Sequence, residues 1–191
     1  MPILKEDIIN SKTTLGIWRM IENLEEIQNL NFLIPSNIKN EKRIKEWICT
    51  RMLLKQIAPQ KNINYDNFGA PSIDDKYQIS ISHSNDLCCI ILGRNNVSID
   101  IEKIDKKIIK ISEKFINLNE KKLLKNKEYL TLFWCVKECV FKLHKKGNIN
   151  FKEDIEITKI YKNKVKVQFR NKEMVMHFKK IQNHYLVYYY D

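Results

Sequence analysis

Residues 133–143 read FWCVKECVFKL, a stretch with neither glycine nor proline in which eight of the eleven residues are apolar or cysteine. This length and composition predict a helix. A surface helix of a globular protein carries its charges on a polar face, but here apolar side chains point in nearly every direction. The three charged residues, Lys137, Glu138 and Lys142, therefore require an explanation other than solvation.

The composition of the whole chain is that of a folded protein. Its 191 residues are 43% hydrophobic and 10% aromatic, which is enough for one domain or two small subdomains with a substantial core. The residues before Leu15 lack the apolar segment of a signal peptide, and the longest apolar run, residues 87–92, is too short to span a bilayer. The five cysteines have neither disulfide-framework nor metal-site spacing, so we expect reduced thiols and a cytoplasmic location. Because no apolar run is long enough to span a bilayer, we also expect no membrane partner.

The formal net charge of +11 favours an anionic partner. Basic proteins often bind nucleic acid, but the lysines are spread along the whole chain rather than gathered in one segment. The charge alone therefore does not distinguish a nucleic-acid-binding protein from one that binds an acidic protein.

Strand and helix patterns occur in blocks, which predicts an α+β fold with mostly antiparallel sheets and packed helices. Helices are expected at residues 22–32, from Ser36 as N-cap through Ala58, at 104–116, after Asn119 and at 128–145. Strands are expected at 14–20, in QISISHS, LCCIIL and VSIDIE, and in four later segments, with GRNN as a hairpin turn between LCCIIL and VSIDIE. Both halves follow the order strand, helices, strands, so we expect two similar subdomains, 1–94 and 95–191, that form one pseudo-duplicated unit.

The segment VSIDIE, residues 97–102, alternates strictly, so that Ser98, Asp100 and Glu102 share one face of the strand. Two carboxylates on one strand face repel each other unless a cation lies between them. A solvated strand face would tolerate them, whereas Mg²⁺, which takes carboxylates, waters and phosphate oxygens as ligands, would use them. The strand alone leaves both interpretations open.

Glu138 provides a third carboxylate if its helix packs beside that strand. An unpaired buried carboxylate is costly, so a metal site would explain it, with Lys137 and Lys142 supplying positive charge for phosphates. The alternative is an i,i+4 ion pair between Glu138 and Lys142, which leaves Lys137 unexplained.

Two basic residues in the first half are candidates for the same site. His83, in ISHS, would be a donor near a phosphate, although a lone histidine is more often structural. Arg51 lies within the apolar stripe of the helix that ends near Ala58, so it either extends to the surface along its aliphatic stem or faces a cleft.

Three motifs, ISHS, VSIDIE and FWCVKECVFKL, resemble in order and spacing those of the 4′-phosphopantetheinyl transferases, in their larger, monomeric surfactin-synthetase-activating type. Ser98 stands in the Gly position of the family's GxDxE, and Ala70 stands where the family often has Lys. The second family motif, W-x-x-K-E-x-x-x-K, is matched by Trp134, Lys137, Glu138 and Lys142. Weaker similarities in KRIKEWICTRMLL, FGAP and KFINLNE extend the resemblance over roughly residues 40–150.

The resemblance implies an enzyme that moves the phosphopantetheine arm of coenzyme A onto a serine of an acyl or peptidyl carrier protein, releasing adenosine 3′,5′-bisphosphate. It implies a monomer whose two α+β subdomains bind coenzyme A in the cleft between them, with no nucleic-acid partner. Mg²⁺ would be held by Asp100, Glu102 and Glu138. The phosphate contacts would come from His83, Lys137, Lys142 and either Arg43 or Arg51.

Glu138 and Lys142 would be the catalytic residues. Transfer of a phosphoryl group depends mostly on positioning and on stabilising charge at its oxygens, which is the role expected of Lys142. Glu138, directly or through a metal-bound water, would accept the serine proton, and Glu120 is a second candidate base.

Two other functions fit parts of the sequence. A catalytically inactive relative that binds coenzyme A or a carrier protein would be consistent with the departures at Ser98 and Ala70. A basic nucleic-acid-binding protein would be consistent with the charge of +11, but it gives no role to the three carboxylates.

Overall fold

The structure, a computed structural model, describes residues 3–30, 32–74 and 76–191. Its strands form three antiparallel sheets that pack with a few helices, which confirms the predicted α+β fold class. The chain divides into two compact units, Met1–Asn95 and Asn96–Asp191, and their action as one pseudo-duplicated unit stays a prediction. None of the helices in the described ranges is long and apolar enough to cross a membrane.

The first unit is built on a four-stranded sheet. Its strands are β1 (Ile3–Asn10), β2 (Thr13–Arg19), β5 (Gln78–Ser84) and β6 (Leu87–Gly93), and the short strands β3 (Asn64–Tyr65) and β4 (Pro71–Ser72) pair separately. The order in the large sheet is β1-β2-β6-β5. After the short helix α1 (Leu24–Gln28), the helix α2 (Glu41–Ile57) packs on β2 and β6. Gly16 of β2 permits that close packing, because a Cβ atom there would lie 2.8 Å from Cδ1 of Leu53.

The second unit contains a five-stranded sheet and the helix that includes FWCVKECVFKL. Its elements are β7 (Val97–Lys103), a 3₁₀ helix (Lys106–Lys114), α3 (Leu118–Lys121), α4 (Glu128–His144), β8 (Ile155–Tyr161), β9 (Lys164–Phe169), β10 (Lys172–Ile181) and β11 (His184–Tyr190). The strand order is β7-β11-β10-β9-β8. Helix α4 packs across β7 and β11 with its apolar residues in the core of the unit, which confirms that it is buried on most sides.

The predicted hairpin through GRNN is wrong. Strand β6 pairs with β2 on one side and β5 on the other, and β7 pairs with β11. All seven residues of β6 are buried, and a continuous apolar run of this kind is the pattern of a central strand that needs neighbours on both sides. GRNN instead leads from the first unit to the second.

The predicted helix boundaries of the first unit also change. The helix at 22–32 is only Leu24–Gln28, and Asn40 rather than Ser36 caps α2, because the Asn40 side chain accepts a hydrogen bond from the backbone of Arg43. Strand β1 has no counterpart in the sequence-based prediction. Its alternation is interrupted by polar residues, and its pairing with β2 includes register irregularities.

Candidate functional site

Strand β7 and helix α4 bring together a carboxylate and an ammonium group that the sequence analysis had placed in one site. Nζ of Lys142 donates to Oδ1 of Asp100 at 2.7 Å and to the carbonyl oxygen of Ile99 at 3.2 Å. Asp100 is 2% exposed. Because Asp100 is buried against α4, the interpretation of VSIDIE as a solvated strand face is wrong at this residue.

Glu138, one helical turn before Lys142, lies in the same electrostatic environment. Burial raises the pKa of Glu138 to about 7, the charges of Asp100 and Glu102 add to this shift, and Lys142 opposes it. An acidic neighbour raises a carboxyl pKa only when the two groups are close enough to repel. Asp100 and Glu102 are therefore close enough to Glu138 for their charges to act on it, and α4 packs against β7.

This donor set has the chemistry that Mg²⁺ requires, because hard cations take carboxylate oxygens and retain several waters. A bound cation would also reduce the repulsion between Glu138 and the carboxylates of Asp100 and Glu102. As they stand, however, no three His, Cys, Asp or Glu side chains in the described part of the chain are arranged to hold a metal ion. At least one carboxylate would have to reorient around the ion, and the ammonium of Lys142 already engages Asp100.

Ser98 occupies the position where the similar family has glycine, and its hydroxyl joins β7 to α4. Oγ of Ser98 donates to the carbonyl oxygen of Cys139 at 2.6 Å, and both residues are fully buried. Cys139 directly follows Glu138, so this hydrogen bond fixes the helix backbone next to the candidate carboxylate. A glycine at this position would allow a close approach to the backbone, whereas Ser98 forms a specific hydrogen bond to α4.

We expect Ser98→Ala to lower the free energy of unfolding by about 1 kcal/mol, because a buried hydrogen bond is lost without creating a large cavity. Urea denaturation followed by circular dichroism measures this change. Ser112→Ala is the matched control, since the exposed Ser112 hydroxyl also donates to a backbone carbonyl, that of Ile109, at 2.8 Å. Equal losses in the two variants would contradict a special role for the Ser98 contact.

Lys137 has partners quite different from the phosphates that the sequence analysis assigned to it. Its side chain is fully buried, and Nζ lies 2.8 Å from Oε1 of Glu120. The same ammonium donates to the carbonyl oxygens of Phe151 at 2.7 Å and Ile155 at 2.6 Å. These acceptors satisfy the ammonium inside the second unit, so we assign Lys137 a structural role and do not retain it as a phosphate ligand.

Glu120 is equally enclosed, which argues against its role as a second base. The residue has no exposed surface, and its carboxylate accepts hydrogen bonds from the backbone of Ile157 and of Asn117, both at 2.9 Å. Together with Lys137, these bonds connect α3, α4 and β8. A catalytic base must reach its substrate, and Glu120 has no surface with which to do so.

In the first unit, a cavity of about 780 Å³ has both Arg43 and His83 in its lining. Between them lies Glu46, a residue that the sequence analysis did not single out. Nη1 of Arg43 donates to Oε2 of Glu46 at 3.2 Å, and Nδ1 of His83 lies 3.4 Å from Oε1. The spacing of Arg43 and Glu46 along α2 signals their ion pair, but no sequence pattern connects either residue with His83.

Arg51 does not extend into solvent like an ordinary surface arginine. Its guanidinium carbon lies 3.4 Å from the centre of the Trp47 ring, and Nη1 donates to the carbonyl oxygen of Trp47 at 3.2 Å. Burial lowers the pKa of Arg51, and the neighbouring Tyr65 opposes this shift. Of the two arginines proposed for a phosphate contact, Arg43 has the more accessible guanidinium, with 66% of its side chain exposed.

Comparison with known proteins bears mainly on the second unit. Residues 96–188 match the family model described as the 4′-phosphopantetheinyl transferase superfamily. Comparison with curated protein sequences gave no significant match. The matched range includes Asp100, Glu102, Glu138 and Lys142, whereas the candidate residues of the first unit lie outside it. Residues 96–188 are therefore similar to a 4′-phosphopantetheinyl transferase superfamily domain, and this match supports a transferase of that general kind.

Proposed function

We propose that this protein transfers the 4′-phosphopantetheine arm of coenzyme A to a serine hydroxyl of an acyl or peptidyl carrier protein, releasing adenosine 3′,5′-bisphosphate. The observation that carries the proposal is the cluster of Asp100, Glu102, Glu138 and Lys142 on β7 and α4, within the range that matches the family model. A basic nucleic-acid-binding protein has no use for three mutually repelling carboxylates next to a buried helix.

In this proposal, Asp100, Glu102 and Glu138 hold Mg²⁺, which supplies Lewis-acid stabilisation of the phosphoryl oxygens. Lys142 adds a positive charge at the same place, and 28% of its side chain is exposed, so it is within reach of a ligand. Glu138 accepts the proton of the attacking serine hydroxyl. A base acts best when its pKa is near the working pH. In the metal-free protein, burial raises the pKa of Glu138 to about 7, and a cation held by the same carboxylate would lower that pKa.

The nucleotide end of coenzyme A is assigned to the cavity of the first unit. A volume of about 780 Å³ is within the ordinary range for small-ligand pockets. Arg43 and His83 give the cavity wall two nitrogen donors for phosphate oxygens, and Trp47 and Tyr65 give it aromatic surface. These assignments rest on the resemblance in residues 40–95 and on the cavity itself.

We expect Arg43→Ala to lower the affinity for adenosine 3′,5′-bisphosphate about tenfold, because a charge-assisted hydrogen bond to the 3′-phosphate is lost. The affinity for adenosine 5′-monophosphate should stay nearly unchanged. Arg51→Ala should weaken the binding of both nucleotides to a similar extent, since it removes the stacking partner of Trp47. Isothermal titration calorimetry on both variants measures these affinities. A loss specific to the 3′-phosphate in Arg51→Ala alone would reassign the contact from Arg43 to Arg51.

The acceptor is proposed to be an acidic carrier protein, because a chain with a net charge of +11 attracts it electrostatically. The direct test is incubation with coenzyme A, Mg²⁺ and a panel of apo-carrier proteins, followed by intact mass spectrometry. We expect a mass increase of one phosphopantetheine group on at least one carrier, and none in excess chelator. Coenzyme A binding without any transfer would favour the inactive relative. The surfactin-synthetase-activating subtype, the monomeric state and the cytoplasmic location remain predictions.

A further inference from the structure

The hydrogen bond of Ser98 joins the two backbone segments that carry proposed metal ligands. Its acceptor, the carbonyl oxygen of Cys139 at 2.6 Å, belongs to the residue that follows Glu138 on α4. Its donor lies two residues before Asp100 on β7, so Ser98 and Asp100 share one face of the strand. The bond therefore fixes the backbone beside one carboxylate relative to the strand that carries another.

The contact between Ser98 and Cys139 is enclosed and formed in both directions. Both residues are fully buried, and the thiol of Cys139 donates to Oγ of Ser98 at 3.3 Å. Helix α4 therefore satisfies the serine hydroxyl both as a donor and as an acceptor, as a buried hydroxyl requires. Since hydrogen bonds are directional, this contact favours one placement of α4 on β7.

Other polar contacts between α4 and β7 involve Asp100 itself. Nζ of Lys142 lies 2.7 Å from Oδ1 of Asp100. Burial raises the pKa of the Cys135 thiol well above its usual value, and the charge of Asp100 and a hydrogen bond with it add to that shift. A cation that binds Asp100 must rearrange these contacts, whereas the bond of Ser98 lies outside the proposed ligand set and can remain.

The rest of the contact between α4 and the sheet is mostly apolar. Hydrophobic contact has no preferred direction, so it resists sliding of the helix less than a hydrogen bond does. Mg²⁺ takes its oxygen ligands at about 2.0–2.1 Å in nearly octahedral geometry, and small displacements of a ligand therefore weaken its binding. Residues that orient metal ligands typically contribute about 10–100-fold to metal affinity.

We propose that Ser98 is a positioning residue, which places α4 on β7 so that the carboxylates of Asp100 and Glu138 can share one divalent cation. The inference rests on the proposed function, because it deepens the assignment of Mg²⁺ to this cluster. The alternative is a purely structural role, in which the bond contributes only to the free energy of unfolding. The two roles differ in whether loss of the hydroxyl changes the metal affinity of the folded protein.

The test measures metal affinity directly and requires neither coenzyme A nor a carrier protein. Mn²⁺ takes the same oxygen ligands as Mg²⁺, and its binding to the free protein is followed by electron paramagnetic resonance, with Mg²⁺ as the competitor. Asp100→Asn should remove the binding that Mg²⁺ displaces, which identifies the site. We expect Ser98→Ala to lower the affinity of that site for Mn²⁺ about tenfold.

Two control variants separate the hydrogen bond from packing and from general stability. Cys139→Ala removes the thiol but keeps the backbone carbonyl that accepts from Ser98, so it should bind Mn²⁺ like the parent. Val165→Ala creates a cavity at a fully buried position of β9, which two other strands separate from β7. It should lower the free energy of unfolding and leave the affinity for Mn²⁺ unchanged.

Transfer assays provide a second readout of the same effect. In Ser98→Ala, the Mg²⁺ concentration that gives half of the maximal rate should rise by the same factor as the Mn²⁺ dissociation constant, and the rate should recover as Mg²⁺ is increased. A rate that stays low at saturating Mg²⁺ while Mn²⁺ affinity equals that of the parent would contradict a role through the metal.

Parent-like Mn²⁺ affinity in Ser98→Ala would overturn the proposal, as would an equal loss in Cys139→Ala or Val165→Ala. A parent protein without binding that Mg²⁺ displaces would overturn it together with the assignment of the metal. A parent that transfers to no carrier protein, yet binds Mn²⁺ and loses affinity in Ser98→Ala but not in the two controls, would retain the positioning role and refute only the proposed function.

Discussion

Replacing Lys137 with methionine is expected to cost about 3–5 kcal/mol of the free energy of unfolding, because the change leaves Glu120 as an uncompensated buried charge. The side chains of Lys137 and Glu120 are both fully buried, and Nζ lies 2.8 Å from Oε1. The carbonyl oxygens of Phe151 and Ile155 also lose their donor in the variant. Since domains are stable by only about 5–15 kcal/mol, the loss is a large fraction of the total. Equilibrium denaturation in urea measures it.

Lys180→Met is the matched control. Nζ of Lys180 pairs with Glu128 at 2.7 Å, but both side chains are more than 40% exposed, and exposed pairs contribute about 0–1 kcal/mol. If Lys137 instead contacted a phosphate, Lys137→Met would unfold like the parent and lose affinity for coenzyme A. Parent-like stability of Lys137→Met would therefore contradict the structural role and restore the ligand role.

Lys137 shows where reasoning from the sequence fails. Adjacent residues of a helix do not face the same way, so Lys137 and Glu138 enter different environments although they are neighbours in one motif. The partner of Lys137 is Glu120, the last residue of the capping box of α3, and its location depends on the packing of α3, α4 and β8. Periodicity describes a single element, and it carries no information on which loop carbonyls will enclose an ammonium.

The VSIDIE strand shows the opposite case. Its strict alternation placed Ser98, Asp100 and Glu102 on one face, and the structure brings Ser98 and Asp100 against α4. Alternation in a strand is a local geometric property, so the same side chains share a face whichever strands it pairs with. The pairing itself is not local: the turn GRNN predicted a hairpin, and only the sheet order identifies β11 as the neighbour of β7.

Glu46 could not have been identified from the sequence for the same reason. Its pairs with Lys42 and Arg43 follow from helical spacing, and taken alone they describe an ordinary surface helix. Its burial and its contact with His83 require α2 to lie against the sheet that contains β5. Sequence patterns thus locate candidate side chains on their own elements, and tertiary packing decides which of them share a site.

Glu138→Gln is expected to lower the rate of phosphopantetheine transfer by about 10²–10⁴-fold, the usual cost of removing a general base. The substitution keeps the shape of the side chain but removes the charge that accepts the serine proton and attracts Mg²⁺. The measurement is single-turnover transfer to an apo-carrier protein at saturating coenzyme A and Mg²⁺. Glu128→Gln, at the first turn of the same helix, is the matched control, since its partner is the exposed Lys180.

The stability of Glu138→Gln separates the catalytic interpretation from that of a helix-stabilising ion pair. A Glu138–Lys142 pair predicts a loss of a few tenths of a kcal/mol and transfer at the parent rate. The raised pKa of Glu138 predicts the opposite change in stability for the metal-free protein. Because the pKa of about 7 in the folded state lies above the ordinary 4.5, the parent loses stability as the pH rises from 4.5 through 7. The variant lacks this carboxylate and does not lose that stability. At pH 8 in chelator, Glu138→Gln should therefore unfold at the same or a higher urea concentration than the parent.

A variant that is less stable than the parent and still transfers at the parent rate would return Glu138 to the role of a helix-stabilising residue. We expect a stable variant that binds coenzyme A but does not transfer its arm. Burial, and then the charges of Asp100 and Glu102, destabilise the Glu138 carboxylate in the folded state, so the residue is retained for its chemistry rather than for the fold.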